Sequence, residues 1–225
     1  MAAITVTALR WAPPFAQGLV RDLRVRWALE EAGFDYDVRL IGRAEQDAAN
    51  YRRLQPFGQV PAYQEEGLEL FESGAIVLHV AGRSGALMPS DSNGRARVTA
   101  WAFAALNSVE PHISNLASID LFNADQEWAK LRRPAAVDSV KARLTCLRDW
   151  LDGREYLEDR FTAGDLLMTA VLRILRHTDL VAEIPELEAY RLRCEARPAF
   201  KKALDDQMAT FAANAPPEAA ASAPV

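Results

Sequence analysis

The sequence predicts an α/β domain followed by an all-helical domain. In the first part of the 225-residue chain, short apolar alternations typical of strands interchange with helical patterns, whereas later apolar positions follow helical spacing alone. Between the two parts, residues 84–93 collect Gly, Pro, Asp, Ser and Asn, which is typical of a linker. We therefore expect domains at residues 1–83 and 94–211. Residues 212–225, rich in Ala and Pro without periodicity, are predicted to be a disordered tail.

The first domain has the element order β-α-β-α-β-β-α. Its first helix is expected to end at Gly33, because glycine readily adopts the left-handed conformation that caps a helix. The central strands are mostly apolar, which is typical of a mixed sheet covered by helices. This order is that of a thioredoxin-like domain. The predicted elements are a strand at 4–9, a helix at 19–32, a strand at 35–40, a helix at 48–54, a hairpin at 60–71 and a helix at 73–82.

The second domain is expected to contain only helices. Thr162 and Asp165 are spaced as a capping box, in which two side chains satisfy backbone N–H groups at the start of the buried helix that follows. A first long helix should end before Pro111, and residues 123–134 should form a polar turn with a short helix. The predicted long elements are helices at 95–110, 137–151, 164–176, 185–194 and 197–211.

The composition indicates a globular protein of the cytoplasm. Half of the residues are apolar and a quarter are charged, which is ordinary for a soluble chain. The net charge of −5 argues against a nucleic acid as the main partner. No signal-peptide pattern opens the sequence, and no apolar run is long enough to cross a bilayer, so no membrane is expected as a partner.

The cysteines and histidines do not form a recognisable site. Cys146 and Cys194 are far apart, which fits a reducing compartment and offers neither a disulfide framework nor a zinc site. Cys146 lies among leucines of a predicted helix, so we expect it in the core. No histidine has a second His or a Cys at metal-ligand spacing, so no metal is expected; the histidines are His79, His112 and His177.

Two short segments have the chemistry of a binding site for a small peptide-like ligand. The first, QPFGQVPAY at residues 55–63, contains Pro61, which cannot lie inside a sheet ladder but is tolerated at the start of a strand. A cis bond there would turn the backbone N–H and C=O of Val60 outward. The second, ESGAI at residues 72–76, opens a helix with Ser73, and a helix start with a serine hydroxyl and free amides suits a carboxylate.

At matching spacing, these segments resemble the cytosolic glutathione transferase family, bacterial type, whose pattern is N-P-x-G-x-V-P-x-L, a short hairpin, and E-S-x-A-I. The resemblance implies that Val60 pairs with the cysteinyl backbone of glutathione, with Gln59 and Pro61 beside it. It implies that Glu72 and Ser73 hold the γ-glutamyl end. On the alternative interpretation, Pro61 only shapes a strand and Ser73 only caps a helix.

The resemblance also implies an activity and partners. A homodimeric enzyme of detoxification would conjugate the thiolate of glutathione, its co-substrate, to a small hydrophobic electrophile, without a metal. Two alternatives stay open. One is a non-catalytic module that binds glutathione or a protein partner with the same fold, and the other is a glutathione-dependent disulfide reductase or isomerase.

The loop at residues 10–18 departs from the family pattern. The family places there a Tyr, Ser or Cys that activates the thiol, and none of these occurs between residues 4 and 20. The remaining candidates are Arg10, Trp11 and Gln17, with the backbone amides at the start of the first helix. A guanidinium or a helix start can stabilise a thiolate, and an indole or amide N–H can donate to it. Alternatively, Trp11 packs under the loop and Arg10 is solvated.

Overall fold

The computed structural model describes residues 4–217, which contain four strands and ten α-helices. Among these residues, no helix is both long enough and apolar enough to span a membrane. The strands are β1 Ile4–Leu9, β2 Tyr36–Ile41, β3 Ala62–Glu65 and β4 Leu68–Phe71. The helices are α1 Asp22–Ala32, α2 Arg43–Asp47, α3 Ala49–Leu54, α4 Ser73–Arg83, α5 Ser92–Phe103, α6 Glu110–Phe122, α7 Glu127–Leu151, α8 Ala163–Leu172, α9 Pro185–Glu195 and α10 Pro198–Ala213.

The contacts group these elements into two compact units whose limits differ from the expected domains. The first unit extends to Val80 and takes in the chain from Pro198 onward, and the second is Ala81–Arg197. The difference arises because α10 packs against α1, where the rings of Trp27 and Phe200 meet edge to face with centroids 4.7 Å apart. The expected tail also begins too early, since α10 runs to Ala213, while residues 218–225 lie outside the described residues.

The first unit contains a four-stranded mixed sheet in the order β2-β1-β3-β4. Strand β1 pairs in parallel with β2 and antiparallel with β3, and β3 pairs antiparallel with β4. Because β1 lies inside the sheet, its Val6 and Ala8 are almost fully buried. The predicted thioredoxin-like domain followed by a helical region is confirmed. One detail differs, because the connection between β2 and β3 holds two short helices, α2 and α3.

Helix α1 ends as predicted and begins later than predicted. Gly33 caps it in the left-handed conformation, with φ of 68°. The predicted start at residue 19 is wrong, because residues 13–19 form successive turns. In these turns the backbone N–H of Ala16 donates to Pro13 and that of Leu19 to Ala16. These turns connect the end of β1 to the helix.

A buried polar cluster fixes α10 to the start of α1. Asp22 and Arg26, both nearly inaccessible to solvent, form an ion pair with a distance of 2.8 Å. The side chain of Gln207 donates to Asp22 Oδ1 over 2.9 Å and accepts from the backbone N–H of Gly18 over 3.1 Å. Burial raises the pKa of Asp22, and the charge of Arg26 and these hydrogen bonds oppose that shift. The cluster therefore also holds the C-terminal end of the loop at residues 10–18.

In the second unit, two predicted boundaries at prolines are wrong. The first long helix does not end before Pro111, because a π-helical segment, Ala104–Val109, carries the chain on into α6. Pro111 follows directly after this segment, in which the backbone N–H of Glu110 donates to the carbonyl of Ala105, so the chain stays helical up to the proline. Likewise the expected turn at residues 123–134 shortens to four residues, since α7 begins at Glu127 and contains Pro134.

The capping box of α8 is confirmed. Asp165 accepts from the backbone N–H of Thr162 over 2.9 Å, and the hydroxyl of Thr162 accepts from the N–H of Gly164 over 3.2 Å. Asp165 is fully buried and also accepts from Tyr190 Oη and from the backbone N–H of Leu157. One carboxylate thus joins the start of α8, the loop before it and α9.

The prediction that Cys146 lies in the core is wrong. Cys146 is exposed, because it lies on the solvent side of α7, next to the buried Leu144 and Leu147. Cys194 on α9 is the buried thiol, and desolvation raises its pKa to about 12. A thiol with such a pKa is almost entirely protonated at neutral pH, so Cys194 is a packing residue.

Gly164→Ala should destabilise the protein, because α8 crosses α5 closely at this glycine. An added Cβ would lie 2.7 Å from Trp101 Cβ, a contact that only a backbone or side-chain shift can relieve. Overpacking of this kind costs about 1–3 kcal/mol, measurable as a lower urea midpoint with an unchanged slope. In the control Gly85→Ala, the new Cβ meets nothing within 4 Å. Equal stability of the two variants would contradict this account of the crossing.

Candidate functional site

Three segments meet at one end of the sheet of the first unit. The register pairs Ala62 with Phe71, so the residues just before β3 and those just after β4 leave the sheet side by side. Because β1 runs antiparallel to β3, the C-terminal end of β1 lies at the same end of the sheet. There Leu9 packs against a buried cluster that includes Val60. The predicted glutathione residues and the start of the loop at residues 10–18 are thereby brought together.

The side chain of Gln55 holds the loop that precedes β3. Its Oε1 accepts from the backbone N–H of Phe57 over 2.7 Å and from that of Gln59 over 3.2 Å. Tyr51 Oη donates to the carbonyl of Gln59 over 2.6 Å. Because Gln55 is buried, these hydrogen bonds stabilise the loop, since a buried amide oxygen without a donor would cost free energy. The loop is therefore fixed by side chains before any ligand is bound.

Gly58 and the Val60–Pro61 peptide give the loop its path. Gly58 has φ of 63°, a backbone conformation that favours glycine. Its carbonyl accepts from Gln46 Nε2 over 3.0 Å. The Val60–Pro61 peptide is cis, and Pro61 comes directly before β3.

The start of α4 combines an unusual backbone conformation with a buried hydroxyl. Glu72 is exposed and has φ of 71°, a region that residues other than glycine rarely adopt. Such conformations cost about 1–3 kcal/mol and cluster at ligand-binding positions. Ser73 opens the helix with its side chain buried, and Arg24 Nη1 donates to its Oγ over 3.4 Å. Arg24 is itself almost inaccessible to solvent, so a guanidinium supports the predicted carboxylate site from inside.

In the loop at residues 10–18, the two polar candidates have partners inside the protein. Arg10 Nη2 lies 3.0 Å from Glu45 Oε1 in an ion pair about half exposed on both sides. The hydrogen bond from Arg10 lowers the pKa of Glu45. Gln17 Nε2 donates to the carbonyl of Ala12 over 2.9 Å, which closes the loop on itself. Trp11 is half-buried at the start of the loop. Which of these groups faces a thiol stays a prediction.

The start of α1 has fewer backbone N–H groups available to a thiolate than the sequence predicts. The backbone N–H of Leu23 donates to Val20 over 3.0 Å, and that of Arg24 donates to Arg21 over 3.2 Å. The carboxylate of Asp22 also occupies the first turn, where a negative charge compensates the helix dipole. A thiolate near this helix would therefore gain little from it.

A cavity that is separate from the candidate site lies elsewhere in the first unit. It measures about 550 Å³ and is bordered by β2, α1 and α10. It includes none of the predicted site residues. At its edge Lys202 lies 3.2 Å from Glu30 and 2.6 Å from Asp206, so its charged groups satisfy one another. Residues 4–217 also contain no group of three or more His, Cys, Asp or Glu side chains that could hold a metal ion.

Comparison with known proteins identifies the family. A family model described as glutathione S-transferase, N-terminal domain, matches residues 17–82. Glutathione S-transferase 4 of Zea mays is 30% identical, and the alignment covers 97% of this chain and 99% of that protein. The chain belongs to the glutathione S-transferase family.

Two further relatives show how varied the glutathione S-transferase family is. The crystal structure of a glutathione transferase from Burkholderia graminis, with two glutathione molecules bound per subunit, is 26% identical. It superposes with a TM-score of 0.78 over 91% of this chain and 88% of that one. The disulfide-bond oxidoreductase YfcG of Escherichia coli (strain K12) is 34% identical over 92 residues, which are 37% of this chain and 43% of that protein.

Sequence reasoning missed two residues that support the candidate site, Arg24 and Gln55. Arg24 has a detectable signal, because Trp27 and Ala28 lie one turn away on the same face of the helix, and an arginine on such an apolar face needs a partner in the interior. Gln55 had none. Its place in the family pattern was visible, but its role depends on the path of the loop that it holds.

Proposed function

We propose that the chain binds glutathione at the end of the β3–β4 hairpin and conjugates it to a small hydrophobic electrophile. The observation that carries this proposal is the pairing of Ala62 with Phe71, which brings the Val60 backbone and the Ser73 hydroxyl to one place. In the reaction, the thiol of glutathione loses its proton and the thiolate forms a bond to an electrophilic carbon. That carbon expels a leaving group or passes the electron pair to an acceptor. The protein supplies position and a lowered thiol pKa.

In this proposal, different residues bind different parts of glutathione. The backbone N–H and C=O of Val60 pair with the cysteinyl residue of glutathione, between Gln59 and Pro61. Ser73 and the first amides of α4 hold the γ-glutamyl carboxylate, and Glu72 holds the amino group. Arg24, which donates to Ser73 Oγ, adds a buried positive charge behind that carboxylate.

A glutathione-dependent disulfide reductase is the second candidate. It is favoured by the similarity to YfcG, whereas the absence of Tyr, Ser and Cys from residues 10–18 favours a non-catalytic binding module. Assays with glutathione and an aromatic halide, or with glutathione and a hydroxyethyl disulfide, separate the two reactions. Turnover of neither, with glutathione bound, would identify a non-catalytic binding module.

Ser73→Ala should weaken glutathione binding by about 1–3 kcal/mol, because it removes a hydrogen bond to a charged group. Isothermal titration calorimetry measures the difference. The control is Ser84→Ala, which lies just past the other end of α4 and whose hydroxyl accepts from the backbone N–H of Ala86. If both variants bind glutathione like the parent protein, the site is assigned wrongly.

The thiol pKa of bound glutathione should lie at most about one unit below that of a free thiol, which is ~8.5. The reason is that the start of α1 is already compensated by Asp22, and a helix end contributes only about 0.3–1 kcal/mol when exposed. Ultraviolet difference titration of the complex measures this pKa. A larger shift would mean that a group in the loop at residues 10–18 donates directly to the sulfur.

Four variants identify the group that lowers the thiol pKa of bound glutathione. If the charge of Arg10 acts on the thiolate, Arg10→Ala raises the thiol pKa and Glu45→Ala lowers it, because Glu45 neutralises Arg10. Trp11→Phe or Gln17→Ala raises it if the indole or the amide donates. A shift that survives all four changes belongs to backbone amides, and an unshifted thiol supports the binding module.

We also propose that the protein is a cytoplasmic homodimer. Support comes from large apolar side chains left exposed on the second unit, where Phe103, Phe122, Leu131 and Trp128 are between 48% and 73% exposed. The exposed and unpaired state of Cys146 and the burial of the free Cys194 agree with a reducing compartment.

Light scattering at micromolar concentration should therefore give a mass of about twice the chain mass of 24.9 kDa. Leu131→Asp, which changes the most exposed of these side chains, should shift the mass toward that of one chain if its helix face lies in the interface. A parent protein that scatters as a single chain would rule out the dimer.

A further inference from the structure

The cavity of about 550 Å³ between β2, α1 and α10 has an apolar wall on the outer strand of the sheet. We call it the β2 cavity. Tyr36, Val38 and Leu40 alternate along β2 and therefore point to the same face of the sheet. All three are half-buried and border the cavity, whereas Asp37 and Arg39 between them are exposed. One apolar stripe of an edge strand is thus open to a ligand.

The charged groups at the edge of the β2 cavity are paired with one another. Lys202 Nζ lies 3.2 Å from Glu30 Oε1 and 2.6 Å from Asp206 Oδ2. Tyr36 Oη donates to the same oxygen of Glu30 over 3.1 Å. Burial, and then the negative charge of Glu30, raise the pKa of Tyr36, so its hydroxyl remains a donor at neutral pH. One lysine stands between two carboxylates, so this edge would repel an anionic ligand.

A buried guanidinium, that of Arg26, also borders the β2 cavity. Its Nε donates to Asp22 Oδ2 over 2.8 Å, and the two side chains are only 3% and 0% exposed. Its Nη2 is likewise shielded from solvent, and among residues 4–217 it has no hydrogen-bond partner. A buried donor without an acceptor costs free energy, and native structures seldom contain one. Because Asp22 already balances the charge of Arg26, the missing acceptor does not need to be charged.

We propose that the β2 cavity binds a small uncharged molecule that has a carbonyl oxygen and an apolar ring. The carbonyl accepts from Arg26 Nη2, and the ring covers Val38 and Leu40. An uncharged acceptor suits both the compensated guanidinium and the negative edge, whereas a carboxylate would be repelled by Glu30 and Asp206. The volume lies within the ~300–1,000 Å³ typical of sites for drug-sized ligands. An aromatic amide is a simple molecule of this class.

The test is a methyl NMR titration of the full chain with benzamide in the absence of glutathione. The methyl signals of Val38 and Leu40 should shift and saturate as the ring of benzamide covers them. Benzoate, which adds a negative charge, and benzylamine, which lacks an acceptor oxygen, should each bind at least about fivefold more weakly. Benzoate that binds as tightly as benzamide would overturn the proposal. None of the lining residues belongs to the proposed glutathione site, so that outcome would leave the proposed function unaffected.

Two variants connect the shifts to the β2 cavity. Arg26→Lys keeps a positive charge beside Asp22 but removes Nη2, so the Kd for benzamide should rise at least about tenfold. Ala209→Phe, at an exposed position of the lining on α10, should block the cavity without changing a charge. The control Ala212→Phe, exposed on the same helix but outside the lining, should bind like the parent protein.

Methyl spectra of the free variants report whether each is folded. If Arg26→Lys does not fold, Ala209→Phe alone decides, because its new side chain lies at an exposed position. Shifts that do not saturate, or that persist unchanged in every folded cavity variant, would overturn the proposal.

Discussion

The pairing of Ala62 with Phe71 is the constraint on which the proposed glutathione site depends. In an antiparallel hairpin, residues before one strand and after the next are neighbours only if the register is right, and a slip of one residue would exchange the two faces of the sheet. The register is secured by burial. Ala62 and Tyr63 are inaccessible to solvent, and Val60 belongs to the same buried cluster as Ala62. The hydrophobic core therefore positions the backbone that the ligand is proposed to meet.

Buried polar groups determine how the rest of the first unit is arranged around that hairpin. Asp22, Arg26 and Gln207 fix α10 to the start of α1, and Arg24 reaches from α1 to the hydroxyl of Ser73. Each of these groups is costly to bury alone, and this arrangement gives each of them a hydrogen-bond partner, although Nη2 of Arg26 stays without one in the described part of the chain. The cluster adds specificity to the packing, since an apolar contact such as that of Trp27 with Phe200 would tolerate a rotated helix.

Much of the fold could be predicted because local signals agree with the final structure. The alternation of β1, the glycine after α1 and the capping box of α8 each depend on a few neighbouring residues. The errors share a different cause. The sequence predicts helix boundaries at Pro111 and Pro134, but a π-helical segment precedes the first and the long helix α7 contains the second. The place of α10 and the roles of Gln55 and Arg24 depend on residues far away in sequence, which no local pattern records.

The donors near the loop at residues 10–18 constrain both proposed reactions. Conjugation and thiol–disulfide exchange each use the thiolate of glutathione, and a thiol with pKa ~8.5 is only a few per cent ionised at neutral pH. In thiol–disulfide exchange the intrinsic nucleophilicity falls as the pKa falls, but with a Brønsted coefficient of only about 0.4–0.5, so a lower pKa still gains more thiolate than it loses in reactivity. Arg10 is paired with Glu45, and Gln17 donates to Ala12. Because these bonds limit activation of the thiol in either reaction, the second substrate and not this loop decides which reaction is faster.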